Sequence, residues 1–184
     1  MSVAGCISYL TSATRSRVNL IDYRCSSSSS IPSHSFSSSA LFFPLHLSSQ
    51  FVSTLKYRII INMTQIKEGD TLPSVTLKHC PYDPSLEHAC GIPQNLDTKS
   101  FEGKKVVIFG VPGAFTPTCN NQHLPEFHQK YDEFVKKGVD QIVCISTGDA
   151  FVMDAWGKWT KTNDKIVMAA DGNGDFINAT GLVQ

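Results

Sequence analysis

The chain has 184 residues, the size of one domain of ordinary length. Its formal charge is zero, but residues 1–62 carry five basic side chains and one acid, whereas residues 63–184 carry 11 lysines and 15 acids. The second part therefore lacks the basic surface of a nucleic-acid-binding protein, and no uncharged apolar window of about 18 residues is present to form a membrane-spanning helix.

Residues 1–62 differ in composition from the rest of the chain. They contain 17 serines, almost no acid and no sustained apolar periodicity apart from the short stretch Ala40–Leu47. Such a segment is typical of an organelle transit peptide, but upstream sequence read as protein before a true start at Met63 has the same composition. We therefore predict a Ser/Arg-rich leader at 1–62, which is disordered, targeting or a start artefact, and one globular domain at 63–184.

Apolar runs and helical stripes alternate along the globular part. The predicted order is a strand at 75–77, a loop at 80–95, a strand at 106–111, a turn at 112–117, a helix ending at Gly138, a strand at 141–146, a helix after Asp149, a strand at 166–170 and a helix at 174–180. This alternation predicts an α/β fold with a central sheet flanked by helices. No terminal strand or helix follows Thr180, so we expect the sheet to be incomplete at the carboxyl terminus.

The two longer predicted helices each contain a residue pattern that predicts a structural feature. Pro125 lies inside the first helical pattern and should kink it. The helix capped by Asp149 has a predicted apolar face, which consists of Phe151, Val152, Ala155, Trp156 and Trp159. Tryptophans on one helical face are more often core than binding site, although exposure would favour a subunit contact.

Cys119 is the candidate nucleophile among the four cysteines of the globular part, which are Cys80, Cys90, Cys119 and Cys144. No pair forms C-x-x-C, which argues against a thioredoxin-type dithiol. Cys119 follows a buried strand and a turn and falls where a helix begins, so free N–H groups and the helix dipole favour its thiolate over a packed thiol. Thr116 can hydrogen-bond the sulfur, and Pro112 and Pro117 stiffen the turn.

The segment Pro112–Cys119 resembles the active-site loop of peroxiredoxins, in which Pro, Thr or Ser, and Cys recur at this spacing. The sequence PGAFTPTC, followed by His123, is similar to the peroxiredoxin-5 or type II branch. Further matches are Ala89–Pro93, which is similar to fungal alkyl hydroperoxide reductase-like members, and Asp149–Trp156. The resemblance runs from about Ile66 to the end of the chain.

The resemblance implies a thioredoxin-like fold and a thiol-dependent peroxidase of antioxidant defence, acting on hydrogen peroxide and alkyl hydroperoxides. Cys119 would attack the peroxide and become a sulfenic acid, Thr116 would hold the peroxide, and Pro112 would shield the sulfur. No metal or organic cofactor is implied. Cys90 matches the position of the resolving cysteine in fungal relatives, where it reaches a partner subunit, so a homodimer recycled by thioredoxin or glutaredoxin is expected. Cys80 is a possible alternative, and Cys144 is predicted to be buried core.

One feature of the resemblance is missing, because family members use an arginine from a later strand and residues 63–184 contain none. The chain therefore resembles a carboxyl-terminally truncated member. For such a chain we expect weak turnover, since lysine does not replace the guanidinium fork. The alternatives are a peroxide-sensing or inactive fragment without turnover and a general thiol–disulfide oxidoreductase. The expected location is the cytoplasm, or the mitochondrion if residues 1–62 are a transit peptide.

Three further groups of residues have two interpretations each. His123 either orients the site or is a partly exposed helical histidine. The group His79, Cys80, His88 and Cys90 has metal-binding residue types but no common zinc spacing. Residues 171–175 resemble the start of a calcium loop, but the positions that need Gly and Glu hold Phe176 and Leu182, so a turn is predicted.

Overall fold

The computed structural model describes residues 8–12, 17–21 and 65–182, all of which belong to one compact unit. Within these residues seven strands form one sheet, in the order β2-β1-β5-β6-β7-β3-β4. Their bounds are Ser8–Ser12 (β1), Arg17–Ile21 (β2), Thr76–His79 (β3), Gln94–Asp97 (β4), Val106–Gly110 (β5), Gln141–Ser146 (β6) and Ile166–Ala170 (β7).

The middle of the sheet is parallel, as the continuous apolar runs predict. β5 pairs with β6 and β6 with β7 in parallel, whereas β3 lies antiparallel to β7 and β4 antiparallel to β3. The side chains of β5 and β6 alternate between two cores: Phe109 and Cys144 pack on one face, and Ile108 and Val143 on the other. In a strand buried on both faces every side chain lies in a core, which explains the unbroken apolar sequence. The predicted α/β class is confirmed.

β4 begins at the end of the segment predicted to be a loop, residues 80–95, and continues beyond it to Asp97. Its sequence, Gln94–Asp97, is polar except for Leu96, which is 9% exposed and packs with Leu77 of β3. With one inward apolar side chain, the sequence shows almost no alternation of apolar and polar residues that would predict a strand. The strand forms because it pairs antiparallel with β3.

The helices are Leu124–Gln129 (α1), Tyr131–Lys136 (α2), Ala150–Thr160 (α3) and Asp175–Thr180 (α4). Helical backbone already begins at Pro117, and the turn Cys119–His123 is a π-helix in which the N–H of Leu124 donates to the carbonyl of Cys119. The irregularity predicted at Pro125 is thus found in the turn before it, because the proline ring crowds the preceding carbonyls. A second break, at Lys130 with φ −91° and ψ 6°, separates α1 from α2 and was not predicted.

The predicted apolar face of α3 is wrong except at Trp156. Phe151, Val152 and Trp159 are 49%, 41% and 65% exposed, and the buried side is Ala150, Met153, Asp154, Trp156 and Gly157. The reason is close packing on β7: a Cβ at Gly157 would lie 2.7 Å from Met168 Cγ, so the glycine must face the sheet. With Gly157 facing the sheet, Phe151, Val152 and Trp159 lie on the side that faces solvent.

Two strands lie within residues 1–62, the segment that the sequence predicts to be a leader. Residues 8–12 and 17–21 are strands, and β1 pairs antiparallel with both β2 and β5. Without β1, strand β5 would be paired only with β6, and its other edge would leave N–H and C=O groups unpaired; β1 satisfies these groups. The β-forming sequences SYLTS and RVNLI are hidden in the average composition of a serine-rich segment. The domain boundary after residue 62 stays a prediction, because residues 22–64 lie outside the described residues.

Among the described helices, none combines the length and the hydropathy needed to cross a membrane.

Candidate active site at the end of strand β5

Cys119 is placed by a short turn that joins β5 to the helical segment. Phe115 lies in this turn with a φ of +60°, which is a left-handed conformation that costs a non-glycine residue about 1 kcal/mol or more. The hydroxyl of Thr116 donates to the carbonyl of Gly113 at 2.9 Å, and the N–H of Asn120 donates to the carbonyl of Thr116 at 2.8 Å. Pro117 begins the helical backbone, so Cys119 lies in the first turn, as predicted.

The sulfur of Cys119 is enclosed by the core. Cys119 is 3% exposed and belongs to the cluster that contains Leu124, Phe127 and Trp156. Its neighbour Asn120 accepts a hydrogen bond from Trp156 Nε1 at 2.8 Å, which ties this turn to α3. The side chains that pack around this thiol are largely apolar.

His123 is buried one helical turn after Cys119. It is 3% exposed, and its ring contacts Phe109 and Phe127 edge-on, with ring centroids 5.1 and 5.4 Å apart. The interpretation of a partly exposed helical histidine is therefore wrong. Burial lowers the pKa of His123 from 6.5 to about 4, so the imidazole is neutral near neutral pH. Periodicity could not reveal this, because the π-helical turn shifts the register of the residues before Leu124.

The other cysteines occupy three different environments. Cys144 is fully buried in β6, as predicted, and burial raises its thiol pKa well above the ordinary value, with a further contribution from Cys119. Cys80 is 8% exposed, and burial, followed by the charge of Asp154, raises its pKa. Cys90 is exposed on the loop between β3 and β4. The four thiols are all free in this structure.

The loop that carries Cys90 is attached to α3 by an ion pair that sequence reasoning missed. Lys158 Nζ donates to Asp154 Oδ2 at 2.7 Å and to the carbonyl of Ala89 at 2.6 Å. The N–H of Gly91 donates to the same Asp154 oxygen at 3.5 Å. The spacing of four residues is the only sequence signal for this pair, and it does not show that the pair faces a loop.

Two exposed aromatic side chains, Phe115 and Trp159, contact each other at the turn before Cys119. Phe115 is 48% exposed and contacts Trp159 edge-on, with ring centroids 5.8 Å apart. Phe151 and Val152 of α3 are also exposed. We call Phe115, Phe151, Val152 and Trp159 the aromatic patch. Of the two tryptophans, Trp156 is core and Trp159 is surface.

Asp171, the first residue of the candidate calcium loop, caps a helix. Its carboxylate accepts from the N–H groups of Phe176 and Ile177 at 3.1 and 3.0 Å, at the start of α4. The turn predicted at residues 171–175 is confirmed by the bond from the Gly174 N–H to the Asp171 carbonyl, at 2.9 Å. Within residues 65–182, no three His, Cys, Asp or Glu side chains are grouped so that they could hold a metal ion.

The chain matches one protein-family model and several known proteins. A family model described as Redoxin matches residues 67–184. Peroxiredoxin-2B of Arabidopsis thaliana is 42% identical over 121 residues, which are 65% of this chain and 70% of that protein.

Solved structures match over a similar span. The crystal structure of reduced Prx3 in complex with H2O2 from Vibrio vulnificus has a TM-score of 0.56 at 42% identity, with 64% of this chain and 70% of that chain covered. Peroxiredoxin 5 from Alvinella pompejana has a TM-score of 0.53 at 39% identity, with 63% and 69% covered. The matched span thus represents about 70% of each relative.

Proposed function

Because the chain belongs to the peroxiredoxins, within the redoxin family, and is therefore a thiol-dependent peroxidase with an antioxidant role, we propose that Cys119 is its peroxidatic cysteine. The observation that carries this proposal is the position of Cys119, which lies in the first helical turn after β5, directly beyond the turn that Phe115 and Thr116 form. The thioredoxin-like fold expected for such a protein is confirmed, and the comparisons do not favour a fragment without turnover.

The first chemical step follows from the position of the thiolate. The sulfur attacks one peroxide oxygen, the O–O bond breaks, and the departing oxygen takes a proton and leaves as water or as an alcohol. Cys119 keeps the attacked oxygen as a sulfenic acid. Burial of the sulfur favours small hydroperoxides as substrates.

Thr116 and Pro112 are proposed to support this step. The Thr116 hydroxyl donates to the Gly113 carbonyl, which fixes its orientation and leaves its lone pairs to accept a hydrogen bond from the peroxide. Pro112 has no N–H and cannot donate to the sulfenate, so it shields that side of the turn from water. Nothing in this chemistry needs a metal or an organic cofactor.

Cys90 is the proposed resolving cysteine. The attacking species is a thiolate, and burial raises the pKa of both Cys144 and Cys80, which disfavours that form. Cys90 is exposed and lies outside the core that encloses Cys119, so it is suited to reach a second subunit. Reduction of the resulting disulfide by thioredoxin or glutaredoxin completes the proposed cycle.

A homodimer of the type II branch is the proposed assembly. The aromatic patch lies beside the turn that positions Cys119, and exposed aromatic clusters of this kind mark protein–protein contacts. A second copy on this surface would cover Phe115 and Trp159. The likeness to peroxiredoxin 5 of Alvinella pompejana supports the choice of branch.

Stopped-flow peroxide consumption with a thioredoxin or glutaredoxin recycling system tests the proposed function. The full chain should consume hydrogen peroxide, and dimedone should label Cys119 and no other cysteine. Cys119→Ser should abolish consumption, whereas Cys144→Ser should retain it. Equal rates for the full chain and Cys119→Ser would disprove the assignment.

The cellular location is proposed to be cytoplasmic, with mitochondrial import as the alternative. Fusion of residues 1–62 to a fluorescent protein separates the two, because a transit peptide directs its passenger to the organelle. A diffuse signal supports the cytoplasmic proposal, and an organellar signal overturns it.

A further inference from the structure

The ion pair between Asp154 and Lys158 differs from an ordinary surface pair. The side chains are 2% and 15% exposed, so both charges depend on fixed partners instead of water. Besides each other, their partners are the Gly91 N–H for the carboxylate and the Ala89 carbonyl for the ammonium. Both of these groups belong to the residues that flank Cys90.

The backbone around Cys90 is therefore fixed while its side chain stays accessible. The thiol of Cys80 donates to the carbonyl of Gly91 at 3.5 Å, so Gly91 is held at both its N–H and its C=O. Cys90 itself is exposed, and Ile92 is 84% exposed. This arrangement restricts the peptide groups on each side of the thiol and leaves the sulfur facing solvent.

α3 also contacts the segment that carries Cys119. Trp156 lies between Asp154 and Lys158 in sequence, and its indole N–H bonds to Asn120, the residue after Cys119. One rigid helix thus supports both cysteine segments of a subunit through separate side chains. A helix is a more precise support than a loop for groups that must meet in a defined geometry.

We propose that Asp154 and Lys158 are positioning residues for the resolving step, because they hold the backbone of Cys90 so that its thiol is presented at the surface. This inference rests on the proposed role of Cys90. In that step the Cys90 sulfur attacks the Cys119 sulfenic sulfur, an S–S bond forms and the S–O bond breaks. The departing hydroxide takes the proton of the Cys90 thiol and leaves as water. The ion pair takes no part in bond making, and it reduces the conformational search that precedes attack.

The experiment separates sulfenate formation from disulfide formation. The full chain and Lys158→Gln are mixed with one equivalent of hydrogen peroxide and quenched over time, and the dimedone-trapped sulfenate and the Cys90–Cys119 disulfide are quantified by mass spectrometry. Lys136→Gln, which removes an exposed lysine from α2, is the matched control. Asp154→Asn provides a nearly isosteric second variant if Lys158→Gln does not fold.

We expect Lys158→Gln to slow disulfide formation at least tenfold relative to sulfenate formation, and to speed hydrogen exchange at the Gly91 amide. The control should resemble the unchanged chain in both readouts. A merely structural role would lower thermal stability without changing the ratio of the two rates, and that result would overturn the inference while leaving the proposed function intact. A Cys80–Cys90 bridge in place of Cys90–Cys119 would overturn the resolving assignment. Absence of any sulfenate at Cys119 would instead disprove the proposed function.

Discussion

His123 should make the stability of this protein strongly dependent on pH. Its ring is buried against Phe109 and Phe127, and its pKa in the folded state is about 4, against 6.5 in the unfolded chain. Between these two values the unfolded chain binds a proton that the folded protein does not bind. The contribution of the neutral ring to the free energy of unfolding is therefore fully present above the pKa of the unfolded state. It is lost as the pH falls towards the pKa of the folded state.

The magnitude follows from the difference between the two pKa values. A difference of about 2.5 units corresponds to about 3 kcal/mol in total, of which about 2 kcal/mol is already lost at about pH 5. This is a large part of the stability of a typical domain, which is about 5–15 kcal/mol. Replacement of the ring by one that cannot be protonated should remove this loss.

Urea unfolding of the full chain and of His123→Phe, at several values between pH 7 and pH 4.5, measures the effect. The free energy of unfolding of the full chain should fall by about 2 kcal/mol more than that of the variant over this range. His128→Gln, which removes the histidine of α1, controls for loss of a histidine outside the aromatic contacts. Parallel pH profiles for the full chain and His123→Phe would refute the reasoning, as would NMR titration of His123 near its ordinary value.

Three further substitutions or deletions probe the packing of the fold. Gly157→Ala should lower the free energy of unfolding by about 1–2 kcal/mol, because a Cβ would lie 2.7 Å from Met168 Cγ. This overpacking exceeds the gain in helix propensity from alanine. An increase in the melting temperature of the variant would contradict the prediction. Asp149→Ala should lower the free energy of unfolding by about 1 kcal/mol, since Asp149 Oδ1 accepts from the N–H groups of Phe151 and Val152 at 2.8 and 2.9 Å. Asp149→Asn should lower it less in the same unfolding assay. Deletion of residues 1–24 should expose one edge of β5. We therefore expect faster hydrogen exchange in that strand and self-association in light scattering. Unchanged hydrogen exchange would show that β1 does not cover this edge.

Local sequence was sufficient to predict the parts of the protein in which neighbouring residues decide the structure. The apolar runs predicted β5, β6 and β7, because a strand buried on both faces must be apolar throughout. The turn residues and the start of a helix predicted the placement of Cys119, since dipole and N–H groups at a helix start depend only on nearby chain. The active-site turn was also specific enough to indicate the family.

Contacts between distant segments decided the remaining features. The inward side of α3 depends on how closely Gly157 approaches Met168, and no periodicity in α3 encodes that distance. The burial of His123 depends on a π-helical turn, and the attachment of the Cys90 loop depends on Asp154 and Lys158 from a helix more than 60 residues away in sequence. β1 forms because the edge of β5 has backbone groups to pair, which is a property of the assembled sheet and not of residues 8–12. In each case the determining energy is packing, desolvation or hydrogen bonding between elements, which exists only once the chain has brought them together.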